Sequence, residues 1–89
     1  MKFDVRWTHS ARNQLAKLWI EADSAFRKRI TEASSRIDQE LVDDPESKGE
    51  SREDRERILF VFPLAVQFEI IPMTNRVRVL RLWIYRRSK

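Results

Sequence analysis

The chain has 89 residues with 18 Lys or Arg, 14 Asp or Glu, one Gly and no Cys. That length supports one core and buries only about 60–65% of the surface that the unfolded chain exposes. Without cysteine there are no disulfides or thiolate metal sites, and a lone glycine rules out a glycine-rich phosphate loop.

The first residues, KFDVRW, alternate. Phe3, Val5 and Trp7 point one way and Lys2, Asp4 and Arg6 the other, the period of a half-buried strand. Thr8 or Ser10 then offers an N-cap. Ala11, Leu15, Leu18, Trp19 and Ala22 follow at helical spacing, and His9 at the helix start reads as a capping or surface residue. Asp23 or Ser24 can cap a second helix with the stripe Phe26, Ile30, Ala33, Ile37 and Leu41, its wet side covered by Arg27, Lys28, Glu32, Arg36 and Glu40. Trp7, Trp19 and Phe26 are expected in the core. Two amphipathic helices joined by so short a break form a hairpin.

Residues 43–55 show no periodicity, and Pro45 with Gly49 marks a loop. Its carboxylates Asp43, Asp44, Glu46 and Glu50 match no calcium-loop spacing and read as a solvated turn. Next, RILFVF and LAVQFEII read as strands joined at Pro63, which has no place inside a ladder. One face is expected to carry Ile58, Phe60 and Phe62, continued by Leu64, Val66, Phe68 and Ile70; the other carries Ala65, Gln67 and Glu69. PMTN makes a turn into the last strand, RVRVLRLWIYR. There Leu80, Leu82 and Ile84 are expected to face the helices, with Arg81, Trp83 and Tyr85 on the open side. A bulge near Leu80 would turn Val77 and Val79 inward as well. Arg81 would then share the open face with Glu69 as a cross-strand pair.

The pattern therefore predicts one α+β domain over residues 1–89. An N-terminal strand and a helical hairpin precede a three-stranded antiparallel meander, with the helices on one face of one sheet and the first strand at an edge or beside the last strand. Charge is uneven along it. From Asp38 to Glu56 nine acids face Lys48, Arg52 and Arg55, whereas from Arg57 onward seven basic residues face Glu69 alone. A polyanionic partner suits that C-terminal half. No apolar run reaches the length of a membrane span and MKFDVRW has no signal-peptide core, so a cytoplasmic protein without a membrane partner is expected.

Several stretches make the chain resemble the RelE/ParE superfamily of toxins from type II toxin–antitoxin systems. They are WTHSARNQLAKLW after the first strand, the hairpin ending in LVDDP, the loop DPESKGESR, and the strands RILFVFPLAVQFEI and VRVLRLWIYRR. The resemblance covers nearly the whole chain and rests on pattern more than on any invariant residue. It implies a cognate antitoxin as partner. It also implies one of two activities: metal-independent cleavage of mRNA in the ribosome, as in the RelE branch, or non-enzymatic inhibition of DNA gyrase, as in the ParE branch. A decayed toxin that keeps only antitoxin binding is a third outcome.

On the RelE-type pattern, Arg57 matches the basic residue opening the second strand of that pattern, and Arg87, beside Arg86, the arginine after the last strand. Ala65 stands where an arginine is expected, and the tyrosine expected beyond the last strand has no counterpart but the earlier Tyr85. The nuclease reading thus assigns Arg57, Arg81, Tyr85 and Arg87 to catalysis, with Arg52, Arg55, Arg78, Trp83, Arg86 and Lys89 on RNA, and no metal or cofactor. Arginine suits phosphorane charge because its planar fork matches phosphate oxygens. It transfers protons poorly, which leaves Tyr85 and His9 as the groups for that task. Trp83 and Tyr85 could stack on bases or form the apolar floor for an antitoxin segment.

Overall fold

Alternation in the first residues makes β1 (Asp4–Trp7), and Thr8 ends it by capping α1 (His9–Glu21). The Thr8 hydroxyl accepts the Ala11 N–H at 3.1 Å, and in the same way Asp23 caps α2 (Ser24–Asp43) by accepting the Phe26 N–H at 2.8 Å. These assignments come from a computed structural model, which describes residues 2–48, 50–51 and 56–85. Arg27, in the first turn of α2, reaches back to α1. Its Nε and Nη2 donate to the carbonyls of Trp19 and Ile20 at 2.8 and 2.9 Å, and its guanidinium lies 4.5 Å from the Trp19 ring centre. The Trp19 carbonyl, which also accepts the Ala22 N–H at 3.2 Å, and the Ile20 carbonyl both lie in the last turn of α1, whose acceptors run out of helical donors. These contacts tie the start of α2 to the end of α1.

After α2 a single 3-10 turn (Pro45–Ser47) leads to four more strands: β2 (Glu50–Ser51), β3 (Glu56–Val61), β4 (Leu64–Ile71) and β5 (Arg76–Ile84). Their order in the sheet is β1-β5-β4-β3-β2, with β1 parallel to β5 and every other pair antiparallel. The α+β architecture and the meander are as expected, and β1 is both at an edge and beside the last strand. The loop reading of residues 43–55 needs correction, since it contains the 3-10 turn and the short β2. Asn75 makes the β4–β5 turn in the left-handed region (φ 50), which asparagine tolerates better than most residues.

The core lies between the sheet and both helices. Ile30, Ala33, Ile37 and Leu41 of α2 meet Leu64, Val66, Phe68 and Ile70 of β4 and Val77, Val79 and Leu82 of β5. Among the described residues no polar side chain is buried. On β3 the expected sidedness is inverted: Leu59 is buried and Val61 packs against the core, while Ile58 and Phe60 face outward. Antiparallel partners share a face, and Val61 lies opposite Leu64 and Leu59 opposite Val66. The even-numbered inward residues of β4 therefore require odd-numbered ones on β3, and the tight turn at Phe62 and Pro63 breaks any alternation carried through it. Trp19, expected in the core, is 41% exposed beside Arg27. Its place in the stripe is a step past Leu18, on the flank of α1 that turns away from the sheet.

In β5, Arg81 lies opposite Gln67 and Val79 opposite Phe68, so Leu80 is an extra residue. This is the expected bulge. It sends Val77, Val79, Leu82 and Ile84 inward together, and leaves Leu80 itself half-buried. The β1–β5 register ends at Trp7 and Val79, and side chains of α1 and its cap take over that edge. Thr8 Oγ1 donates to the Leu80 carbonyl at 3.2 Å, and the Leu82 N–H donates to Gln14 Oε1 at 2.8 Å. At the other end of β1, Phe3 N–H donates to the Val42 carbonyl, and Lys2 Nζ lies 2.6 Å from Asp43 Oδ1. No helix among the described residues is long and apolar enough to cross a membrane.

Two measurements check this arrangement. In chemical denaturation, Phe68→Ala is expected to cost about 3–5 kcal/mol, and Phe60→Ala about 1–2 kcal/mol, because only the former empties a core site; equal costs would contradict the β3–β4 register. The second concerns acid. Hydrogen bonds from Lys2 and Gln39 hold the Asp43 carboxyl below its ordinary pKa, so the stability it contributes is present above the unfolded-state value and is lost as pH falls through the folded-state value. Asp43→Asn is expected to lower the melting temperature at neutral pH and to match the wild type in strong acid.

Candidate target-binding face

Inward-facing side chains dictate what the other side of the sheet presents, and both helices pack on the inward side. Across the open face the register sets four rows. Asp4, Arg76 and Ile71 form the first, and Arg6, Arg78, Glu69 and Glu56 the second. Arg81, Gln67 and Ile58 form the third, and Trp83, Ala65 and Phe60 the fourth. One half of the face is charged. The other is aromatic.

In the charged half, Arg6 and Arg78 sit directly opposite each other on neighbouring strands. Such a like-charged pair is unfavourable unless neighbours offset it. Asp4 and Glu69 do so. Arg6 Nε lies 3.1 Å from each Asp4 carboxylate oxygen, Arg76 Nε lies 3.8 Å from Oδ2 of the same group, and Arg78 Nη1 lies 2.7 Å from Glu69 Oε2. The hydrogen bond from Arg6, with the charges of Arg6 and Arg76, holds the Asp4 carboxyl below its usual pKa and raises that of Arg6 in turn. Gln67 donates to the Glu56 carboxylate. Arg81, exposed, makes no ion pair with a described residue.

In the aromatic half, Ala65 is fully buried between Phe60 on one neighbouring strand and Trp83 on the other. Tyr85 meets Phe60 edge to face with ring centres 5.1 Å apart, and Phe62 likewise at 5.8 Å. Its N–H donates to the Pro63 carbonyl at 3.1 Å, which ties the strand end to the β3–β4 turn. The result is an apolar ledge ending in a phenol.

The structure brings Arg78, Arg81, Trp83 and Tyr85 of the sequence-derived set onto this one face. Arg57 lies opposite Phe68, on the helix side of β3 and across the sheet from Arg81. Arg52, Arg55, Arg86, Arg87 and Lys89 lie outside the described residues. The expected Arg81–Glu69 pair is replaced by Arg78–Glu69, because the bulge shifts the register of β5 against β4. Reading the sequence missed Asp4, Arg6, Arg76 and Phe60 as parts of the face. For the first three the signal was the outward set of an alternating strand, useful only once β1 is known to run beside β5. His9 is exposed at the start of α1, and among the described residues no three His, Asp or Glu side chains could share a metal ion.

A concavity lies on the helix side. It is an open apolar groove of about 520 Å³ between α1 and α2, lined chiefly by Trp7, Leu15, Trp19, Ile20 and Ile30. Beside it, Trp7 Nε1 donates to Asp38 at 3.2 Å.

No protein-family model matches the chain, and no curated protein sequence does. Solved structures do. A chain of the toxin–antitoxin complex RelBE2 from Mycobacterium tuberculosis superposes with a TM-score of 0.73 at 18% identity, covering 96% of this chain and 93% of that one. For the chromosomal ParDE toxin–antitoxin system of P. aeruginosa the TM-score is 0.74 at 14% identity, with 96% and 98% covered. The isolated E. coli RelE toxin gives 0.61 at 14% identity, with 98% and 88% covered. The fold is thus similar to that of RelE- and ParE-type toxin–antitoxin proteins.

Proposed function

We propose that this chain is the toxin of a type II toxin–antitoxin pair, silenced by a cognate antitoxin, and that its target is held on the open face of the sheet. The observation that carries this reading is the placing of Arg81 beside the Trp83, Phe60 and Tyr85 ledge, on a face that neither helix covers. A guanidinium next to stacking rings is what a single-stranded nucleic acid requires: charge for the backbone and flat apolar surface for the bases. The solved RelBE2 and RelBE complexes, whose fold this chain shares, support the antitoxin partner.

The finer reading is ribosome-dependent, metal-independent cleavage of mRNA. The 2′-oxygen loses its proton and bonds to phosphorus, the phosphorus–5′-oxygen bond breaks, and the departing 5′-oxygen takes up a proton. Arg81 and Arg87 are assigned to the charge of the phosphorane, and the Tyr85 phenol to the proton transfer. One observation favours a second reading, inhibition of DNA gyrase by binding. Ala65 replaces an arginine of the RelE-type pattern, and here it lies buried in an apolar row with Phe60 and Trp83. That row suits a protein surface.

The deciding experiment incubates the purified protein with a defined mRNA, with and without programmed ribosomes, alongside a gyrase supercoiling assay. Ribosome-dependent cuts, slowed about 100-fold or more by Arg81→Ala or Arg87→Ala, are expected for the nuclease. Loss of supercoiling with intact mRNA would instead establish the gyrase reading. Inactivity in both assays would leave a fold that only binds its antitoxin.

A further inference from the structure

Arg6, Arg76 and Arg78 crowd one corner of the open face, and the chain holds them there with its own carboxylates. Each carboxylate accepts from a guanidinium as a phosphate oxygen would, since the planar fork matches both groups. The arginines stay reachable: their side chains are 64%, 47% and 46% exposed. Exposed pairs of this kind are weak, screened by salt and easily exchanged.

We propose that Arg6, Arg76 and Arg78 form a backbone site for single-stranded RNA, and that Asp4 and Glu69 occupy it in the free chain as internal competitors that RNA displaces. The proposal rests on the reading of the open face as an RNA surface. It adds a threshold to that reading: a polyanion gains these three arginines only by ejecting two carboxylates. Continuity favours RNA over an acidic protein segment. Arg76 and Arg78 stand roughly 6–7 Å apart along β5, comparable to the step between successive phosphates of an extended strand. The same strand continues to Arg81 and Trp83, where bases would stack. A run of carboxylates alone has no flat group for that ledge.

The test measures binding of a fluorescein-labelled, mixed-sequence single-stranded RNA to the full chain by anisotropy across a salt series. The double variant Asp4→Asn/Glu69→Gln is compared with Glu21→Gln/Glu46→Gln, which makes the same change in net charge at exposed residues having no ion pair with a described residue. The first variant is expected to bind at least about fivefold tighter than the second, with a log–log salt slope steeper by roughly 1–2, at about 0.7 per added phosphate. Equal gains in the two variants would overturn the proposal, because net charge alone would then explain them. Should Arg81→Ala weaken binding while the Asp4/Glu69 pair matches its control, displacement fails and the open-face reading stands. If no variant binds RNA, both fail. Binding of labelled poly-glutamate but not RNA to the Asp4/Glu69 variant would assign the corner to an acidic protein and sink the RNA site. Circular dichroism checks that each variant is folded, and Glu69→Gln alone, an isosteric change, is expected to give about half the slope increase.

Discussion

One extra residue in β5 decides the sidedness of its longest strand. With strict alternation, a strand that turned Val77 and Val79 inward would also bury Arg81 and Trp83 and expose Leu82. Arg81 would then enter a core whose buried side chains, among the described residues, are all apolar, at the desolvation cost of a buried charge. The bulge at Leu80 removes the conflict. It lets valines and leucines from both halves of the strand share one core while the arginines and aromatics share the opposite face. Thr8 ties the rest to this joint, because one hydroxyl ends β1, caps α1 and bonds to the carbonyl of Leu80 itself.

The two sides of the sheet follow opposite rules as a result. Toward the helices the buried side chains are all apolar among the described residues, and the pieces are held by packing and by a few end contacts: Arg27 on α1, and Asp43 with Lys2. On the other side packing is confined to the aromatic ledge, and the charges are arranged in rows that partly cancel. The apolar groove between the helices and the charged-aromatic face lie on different sides of the molecule. An occupant of one leaves the other open.

Strong local patterns made most of the architecture readable. Both helix caps were among the residues singled out from sequence, the α2 stripe from Ile30 to Leu41 is buried in the core with Phe26 half-buried at its start, and the competing claims of Val77, Val79, Leu80 and Leu82 already pointed to a bulge. Pairing was harder to read. The inward set of β3 depends on where the turn at Phe62 and Pro63 places its partner, and alternation within β3 alone fits either face because Ile58, Leu59, Phe60 and Val61 are all apolar. The site suffered for the same reason. Arg81, Trp83 and Tyr85 lie on one strand and its end and could be grouped from sequence. Arg6 and Arg78 are neighbours only through a parallel pairing between the two ends of the chain, for which no local signal exists.

The contacts that Thr8 and Gln14 make with β5 have a bearing on solubility. Past Val79 the strand has no strand neighbour on that side, so its carbonyl and amide groups would form a template for another chain. Here a hydroxyl and a side-chain amide fill those positions, and they are carried by α1 and its cap. An edge closed by a neighbouring strand stays closed until the sheet itself comes apart. This edge opens whenever the first turns of α1 unravel, which helix ends do most readily. Protection of this stretch of β5 against strand addition is therefore set by the local stability of the start of α1, a smaller quantity than the stability of the whole fold.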